Sequence, residues 1–128
     1  MKINDYKSAW LFPSCQIVVF NNGGFLIESC NTFINIGMYK DKSLFEVFPM
    51  LESLKKYLIG LRQADAPIHI PRVESYINDK FHVFDFVFIR AADNPNNLVW
   101  HMQNLTQQYM HLLKVQQERN EFYIRLNT

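Results

Sequence analysis

Cysteine is scarce in this chain, with only Cys15 and Cys30 among 128 residues. Two thiols are too few for the disulfide framework that holds small secreted domains together, and they do not match the spacing of a zinc site. Apolar runs are also short, since none approaches the roughly 18 to 20 residues that span a bilayer. Residues 1–12 lack the basic start and long apolar run of a signal peptide. We therefore expect a cytoplasmic protein without direct contact with a membrane.

The chain also lacks an excess of either charge. Its 13 basic and 12 acidic residues give a formal net charge of +1. Proteins that bind nucleic acid neutralise phosphates with clustered Lys and Arg, and this balance leaves no such excess. We expect no nucleic-acid partner.

The residue sets that carry catalysis are missing as well. The sequence contains no glycine-rich nucleotide loop, no paired catalytic carboxylates and no Ser/His/Asp set. Its histidines are scattered, and we interpret them as surface residues or hydrogen-bonded core residues. They are His69, His82, His101 and His111. We expect neither an enzyme nor a metal site.

What the chain does contain is apolar and aromatic bulk, with 48% hydrophobic and 15% aromatic residues. A chain of this length is typical of one domain with one core. Two β-like runs, 15–20 and 25–30, flank Asn21-Asn22-Gly23-Gly24, which favours a hairpin because Asn and Gly tolerate positive φ. In this hairpin, alternation predicts Gln16 and Glu28 on the outer face and Cys15 on the inner face, with no disulfide to Cys30.

Helical signals fill the middle of the chain. Asn31 is expected to cap a short helix over 32–36 that ends at Gly37. Ser43 and Glu46 fit a capping box. A longer helix is predicted over 51–61 from its leucine spacing.

Three further strands are predicted over 68–76, 81–91 and 98–105, and a terminal helix follows from Thr106. A short helix is also expected near the N-terminus. Strands on either side of a helical insert predict an α+β fold, in which short helices gather on one face of a five-stranded antiparallel sheet.

At this point three segments resemble the PAS domains of bacterial sensor histidine kinases and related multidomain signalling proteins. They are residues 17–27 (IVVFNNGGFLI) followed by Asn31 and Phe33, residues 43–49 (SLFEVFP), and residues 98–106 (LVWHMQNLT). The resemblance covers residues 13–106, which it implies form a sensory domain, followed by a signalling linker helix over 107–128. The helix expected near the N-terminus occupies residues 1–12. It also implies a non-catalytic sensor that senses a small ligand or mediates dimerisation and relays the signal through its terminal helix to an effector in the same polypeptide, such as a histidine kinase.

The same resemblance directs attention to Asn104 and Thr106 as relay residues, where the family often carries an Asp-Ile-Thr-like ending. Asn104 replaces the frequent Asp, so it can cap a helix but cannot form an ion pair. Haem-binding relatives use a His on the long helix, and residues 51–61 contain none. Cys30-Asn31-Thr32 does not match the Asn-Cys-Arg-like motif of flavin-binding relatives. We expect no cofactor.

Alternation in residues 81–91 predicts which side of the sheet faces the helices. Asp85 is costly to bury without a partner, so Asp85 and the residues that alternate with it are placed on the outer face. Phe84, Phe86 and Phe88 are then placed on the inner face. Similarity to light-sensing relatives turns Trp100 and Met102 inward as well, with His101 and Gln103 outward. The candidate pocket for a small apolar ligand is then lined by Phe33, Phe45, Phe48, Leu54, Leu58, Phe84, Phe86, Phe88, Trp100 and Met102. The alternative is a core filled by these side chains themselves.

The outer face and the terminal helix are the candidate dimer surfaces. Outward valines and isoleucine would form a larger apolar patch than a monomer normally exposes, unless the N-terminal helix or a second subunit covers it. The terminal helix carries a heptad-like pattern with polar Gln116 and Arg119 in the seam, and packing back onto the domain is the alternative. The candidate contacts for a homodimer are Trp10, Leu11, Val83, Val87, Ile89, Tyr109, Leu112 and Tyr123. A purely structural dimerisation module with a sealed core is the competing interpretation of the chain.

Overall fold

The described strands form one antiparallel sheet. The structure, a computed structural model, describes residues 15–126. The strands are β1 (Cys15–Asn21), β2 (Leu26–Ser29), β3 (Ile68–Ile77), β4 (Lys80–Arg90) and β5 (Asn97–Asn104). Their order across the sheet is β2-β1-β5-β4-β3, and all neighbouring pairs are antiparallel. The α+β class and the five-stranded sheet are thus confirmed, while the expected helix with Trp10 and Leu11 lies outside the described residues.

The turn between β1 and β2 forms where its sequence predicts it. The Asn21 side-chain oxygen accepts hydrogen bonds from the backbone N–H groups of Gly23 and Phe25, both at 3.0 Å. Gly24 has a φ of +86°, and a Cβ there would collide with Ser43. The Ser43 hydroxyl donates to the Gly23 carbonyl at 2.7 Å, so it does not cap the helix that follows it. The expected capping box is therefore wrong, because this serine instead joins the hairpin to the helical insert.

The helical insert lies between β2 and β3. It comprises a 3-10 turn (Ile36–Tyr39), α1 (Leu44–Val47) and α2 (Pro49–Ile59). The expected helix over 32–36 is absent, since Asn31 adopts a left-handed φ of 50° and its side-chain oxygen accepts from the Ile36 N–H. Pro49 begins α2, where its fixed φ suits the first turn and no N–H is needed.

Gln16 corrects the predicted orientation of β1. It is buried and lies on the helix side of the sheet, where its oxygen accepts from the N–H groups of Phe33 and Ile34 at 2.8 and 2.9 Å. Its amide nitrogen donates to the Ile34 carbonyl at 2.8 Å and to Ser29 Oγ at 3.1 Å. A buried amide with all these partners is satisfied. Consequently Cys15 lies on the outer face, and the expected absence of a disulfide between Cys15 and Cys30 agrees with the structure.

Arg90 joins the end of α2 to the sheet. Its guanidinium donates to the backbone carbonyls of Leu58, Ile59 and Leu61 at 2.8 to 3.1 Å, and to Asn22 Oδ1 at 2.6 Å. The last carbonyls of a helix lack intrahelical partners and carry partial negative charge, so a cation stabilises them. Desolvation lowers the pKa of Arg90 from its usual value. This side chain closes the helical layer onto one end of the sheet.

The terminal helix α3 (Thr106–Leu126) extends the chain beyond β5. None of its described side chains is buried, and eight large apolar ones are exposed. Within the described part of the chain, its hydrogen bonds to the sheet come from its first turn, as described below. None of the helices in residues 15–126 is long and apolar enough to cross a bilayer.

Candidate functional site: an aromatic wall and its junction with the terminal helix

The helix side of the sheet is an aromatic wall, as predicted from alternation in β4. Phe84, Phe86 and Phe88 are all buried, and so are Trp100 and Met102 on the neighbouring strand β5. The Phe86 ring meets the Trp100 ring edge-on at 5.2 Å, while the Phe88 ring is stacked on Trp100 at 5.9 Å. Edge-on and offset-stacked rings are the preferred aromatic geometries. The pairing of β4 with β5 therefore produces one continuous ring surface.

The helical insert covers this wall with the side chains that the sequence predicts. Phe45 and Leu58 are buried, and the others are half-buried against the same cluster; these are Phe33, Phe48 and Leu54. The Phe33 ring lies 5.3 Å from Phe84, and the Phe48 ring lies 5.8 Å from Trp100. All ten candidate pocket residues therefore meet in one apolar cluster, whose rings occupy much of the space between the two layers.

Trp100 carries a polar atom inside this cluster. Its indole Nε1 is buried and has no hydrogen-bond partner in the part of the chain that the structure describes. A buried donor without an acceptor costs about 1 to 3 kcal/mol. A small molecule with one hydrogen-bond acceptor would complement this wall.

The junction between the wall and α3 is formed by Asn104 and Thr106. The Asn104 side-chain oxygen accepts from the Thr106 N–H at 3.1 Å and from the Thr106 hydroxyl at 2.6 Å. The Thr106 hydroxyl in turn accepts from the Val83 N–H at 3.0 Å, and the Leu105 N–H donates to the Val83 carbonyl at 2.8 Å. The first residue of α3 is thereby tied to β4 as well as to β5. Asn104 and Thr106 are the two residues that the resemblance to PAS domains implies for a relay.

Asn104→Ala should lower the free energy of unfolding by about 1 kcal/mol, since the first N–H of α3 loses its acceptor. Asn104→Asp retains an oxygen there and should be close to neutral, because a negative charge also suits a helix N-terminus. Urea unfolding of both variants measures the difference. Equal stabilities for the two would show that the side-chain oxygen does not anchor α3.

Asp85 forms a second contact with α3 that sequence reasoning missed. Its carboxylate accepts from the Tyr109 hydroxyl at 3.3 Å and from the Arg72 N–H at 3.1 Å, and it lies 3.3 Å from His69 Nε2. The Arg72 guanidinium lies over the Tyr109 ring, 5.8 Å from its centroid. Burial, followed by the Asp85 charge, raises the pKa of Tyr109. The only signal in the sequence was Asp85 itself, a charged residue in an apolar strand that needed partners.

The remaining dimer candidates divide between the sheet and α3. Val83 is buried, and Val87 and Ile89 are half-buried on the outer face. A second apolar cluster lies on this face, comprising Ile17, Val19, Ala91 and Val99 with Cys30 and Ile89. On α3, Tyr109 is half-buried, whereas the side chains of Leu112 and Tyr123 are more than half exposed.

His101 lies on the outer face, where its backbone pairs with Ile17 and Val87. It is buried, and desolvation lowers the pKa of its imidazole from 6.5 to about 4. The unfolded chain therefore binds more protons between those values, and stability falls as the pH drops below 6.5.

We expect the free energy of unfolding to fall by about 2 kcal/mol between pH 7 and pH 5 through His101. His101→Gln should remove most of this slope, while His111→Gln, on the exposed surface of α3, should leave it in place. Urea unfolding at several pH values measures the slope. An unchanged slope in His101→Gln would contradict this assignment.

Comparisons with known proteins do not assign the chain to a family. No protein-family model matches it, and no curated protein sequence matches it. Within residues 15–126, no group of three or more His, Cys, Asp or Glu side chains is placed to hold a metal ion. The function of the chain is therefore inferred from the geometry above and from the resemblance of the three sequence segments.

Proposed function

We propose that the chain is a PAS-type sensory domain that relays a signal from its aromatic wall through α3 to an effector in the same polypeptide, such as a histidine kinase. The domain itself would carry out no reaction and would act in the cytoplasm. The observation that carries the proposal is the junction at Thr106, which makes the start of α3 dependent on the positions of two adjacent strands. A five-stranded antiparallel sheet with helices on one face is the architecture that the resemblance implies.

A short route connects the wall to α3. Phe33, in the helical insert, has its ring 5.3 Å from that of Phe84. Phe84 is the cross-strand partner of Asn104, and the Asn104 side chain holds Thr106. A displacement of the insert is transmitted along this route through direct contacts, because packed side chains have little free volume in which to absorb it. Such a displacement would shift the equilibrium between anchored and released states of α3.

The small-ligand form of the proposal is supported by the buried donor of Trp100, which lacks an acceptor within residues 15–126. Native mass spectrometry of the purified chain tests it. A reproducible additional mass that disappears in Trp100→Phe supports a ligand held in the wall. A spectrum of the bare chain alone, before and after addition of lipophilic extracts, contradicts this form of the proposal.

The dimer form of the proposal is supported by the exposed apolar side chains of α3. Tyr109 is engaged with Asp85, so a helix–helix seam would begin at Leu112, whose side chain is half exposed. Tyr123 and Leu126 continue the same heptad-like spacing and are more exposed still. Burying such side chains against a second α3 removes apolar surface from water, whereas Gln116 and Arg119 weaken the seam. A weak seam suits a linker whose register changes with the signal.

Leu112→Glu is expected to shift the chain from dimer to monomer, because it places like charges opposite each other in the seam. Lys114→Glu is the matched control, since it adds a carboxylate two residues away on another side of the helix. Sedimentation equilibrium of the two variants and the unchanged chain measures the effect. A dimer that survives Leu112→Glu, or a chain that is monomeric from the start, would contradict the seam.

A second candidate function is a structural dimerisation module with a sealed core. It is favoured by the ring packing, in which Phe86, Phe88 and Phe48 all contact Trp100 at 5.2 to 5.9 Å. This candidate predicts the Leu112 result but no bound mass. Both experiments together therefore distinguish it from a ligand sensor.

A further inference from the structure

A cleft of about 350 Å³ opens at one end of the sheet, away from the aromatic wall. The β1–β2 turn, the end of α2 and the β4–β5 turn surround it, and each contributes to its lining. The residues that decide its chemistry are Asn22, Arg62, Gln63 and Arg90. Within residues 15–126, the lining therefore includes two guanidinium groups and two side-chain amides and no carboxylate.

Arg90 is the main reason to expect an anion. It is buried, and no carboxylate in residues 15–126 forms an ion pair with it. Its acceptors are three backbone carbonyls and one amide oxygen, and its fifth N–H group has no acceptor among the described residues. A buried cation surrounded only by dipoles is incompletely compensated, and an oxyanion supplies the missing charge.

Two neighbouring groups add donors to the cleft. The Asn22 side-chain oxygen is used by Arg90, so its NH₂ group is available to a ligand. The Arg62 side chain is 81% exposed, and the Asp65 carboxylate accepts from its Nη2 and Nε at 3.1 and 3.4 Å and from the Arg62 backbone N–H at 2.8 Å. Because the guanidinium of this pair is mostly in water, the side-chain contact is weak, and the guanidinium can turn towards a bound anion while the backbone contact with Asp65 stays in place.

We infer that this cleft binds a small oxyanion, a carboxylate or a phosphate, between the Arg90 and Arg62 guanidinium groups with the Asn22 amide as a further donor. Because Arg90 holds the end of α2 against the sheet, a bound anion would stabilise that contact. The site is separate from the aromatic wall and does not depend on the function proposed above.

A titration of the full chain followed by ¹H–¹⁵N NMR tests the site, with inorganic phosphate and succinate as separate probes and sodium chloride at matched ionic strength as a screening control. At least one probe should saturate, with the largest shifts at Asn22, Gly60 to Gln63 and Arg90. Saturation by phosphate alone identifies a phosphate site, and saturation by succinate alone identifies a carboxylate site. Shifts that never saturate, or that sodium chloride reproduces, would overturn the inference.

Two variants that leave Arg90 in place should change the affinity in opposite directions. Arg62→Ala should raise the dissociation constant about three- to fivefold. Asp65→Asn should lower the dissociation constant by a similar factor, because it frees the Arg62 guanidinium. Lys42→Ala removes an exposed positive charge that does not line the cleft and should change nothing. Equal weakening in Arg62→Ala and Lys42→Ala would show that the anion responds only to overall charge, and the site would be rejected.

Discussion

Phe86→Ala should lower the free energy of unfolding by about 3 to 5 kcal/mol, as large-to-small substitutions of fully buried aromatic residues do. Phe86 is 5% exposed, and its ring contacts those of Phe84, Phe88 and Trp100 at 5.2 to 6.5 Å. Its removal takes away apolar burial and leaves a cavity that the rigid β4 and β5 backbones cannot close. The ring partners also lose favourable edge contacts.

Tyr57→Ala is the matched control for this measurement. Tyr57 is an aromatic residue on α2 that is 65% exposed, so its truncation should change stability by less than about 0.5 kcal/mol. Guanidinium unfolding of both variants gives the comparison. A Phe86→Ala chain as stable as Tyr57→Ala would show that the phenylalanine side of β4 is not the core side.

Arg90→Ala is expected to cost about 3 to 4 kcal/mol, which is a large effect for a polar side chain. The substitution leaves the carbonyls of Leu58, Ile59 and Leu61 without their donor and removes the link to Asn22. Partly buried carbonyls that lose a charged donor retain their desolvation cost. In Arg90→Ala, amide protons in the last turn of α2 should exchange faster than those in its first turn.

Arg62→Ala serves as the control, since it removes a guanidinium only a few residues from the end of α2. Its ion pair is with half-buried Asp65, and its own guanidinium is mostly exposed to water, so we expect a cost below about 1 kcal/mol. Thermal and urea unfolding should rank the variants with Arg90→Ala far below Arg62→Ala. Comparable losses of stability in the two variants would mean that positive charge at this end of the sheet stabilises the fold, and that the carbonyl contacts of Arg90 add nothing.

Local patterns predicted β4 well because its two faces have different environments. Phe84, Phe86 and Phe88 alternate with Asp85, and that single charged residue identified the outer face. The β1–β2 turn was also predictable from local sequence, since Gly24 adopts the positive φ that glycine tolerates and the Asn21 side chain accepts from the N–H groups of the turn.

The orientation of β1 was not predictable in the same way, because all of its residues from Cys15 to Phe20 are buried and alternation carries no signal there. Gln16 was placed outside as a polar residue, yet its amide is satisfied by the backbone of Phe33 and Ile34, far along the chain. Ser43 bonds to Gly23 rather than to its own helix, again through a contact distant in sequence. Tertiary hydrogen bonds of this kind are invisible to local propensity.

The candidate site was also predictable only in part. The ten candidate pocket residues were predicted from alternation and from the family resemblance, and all of them lie in one cluster. The partners of Asp85 and the acceptors of Arg90 depend on how β3, α2 and α3 pack around the sheet, so neither set was predictable from spacing.

Amide hydrogen exchange in α3 measures whether the aromatic wall is coupled to the terminal helix. Phe33→Leu changes the ring that packs on Phe84, without touching α3. If the coupling exists, this substitution should change exchange at residues 106–110, and Asn104→Ala should remove the response because the connection to Thr106 is lost. Unchanged exchange at residues 106–110 in Phe33→Leu, while amides elsewhere along the wall respond, would contradict the coupling.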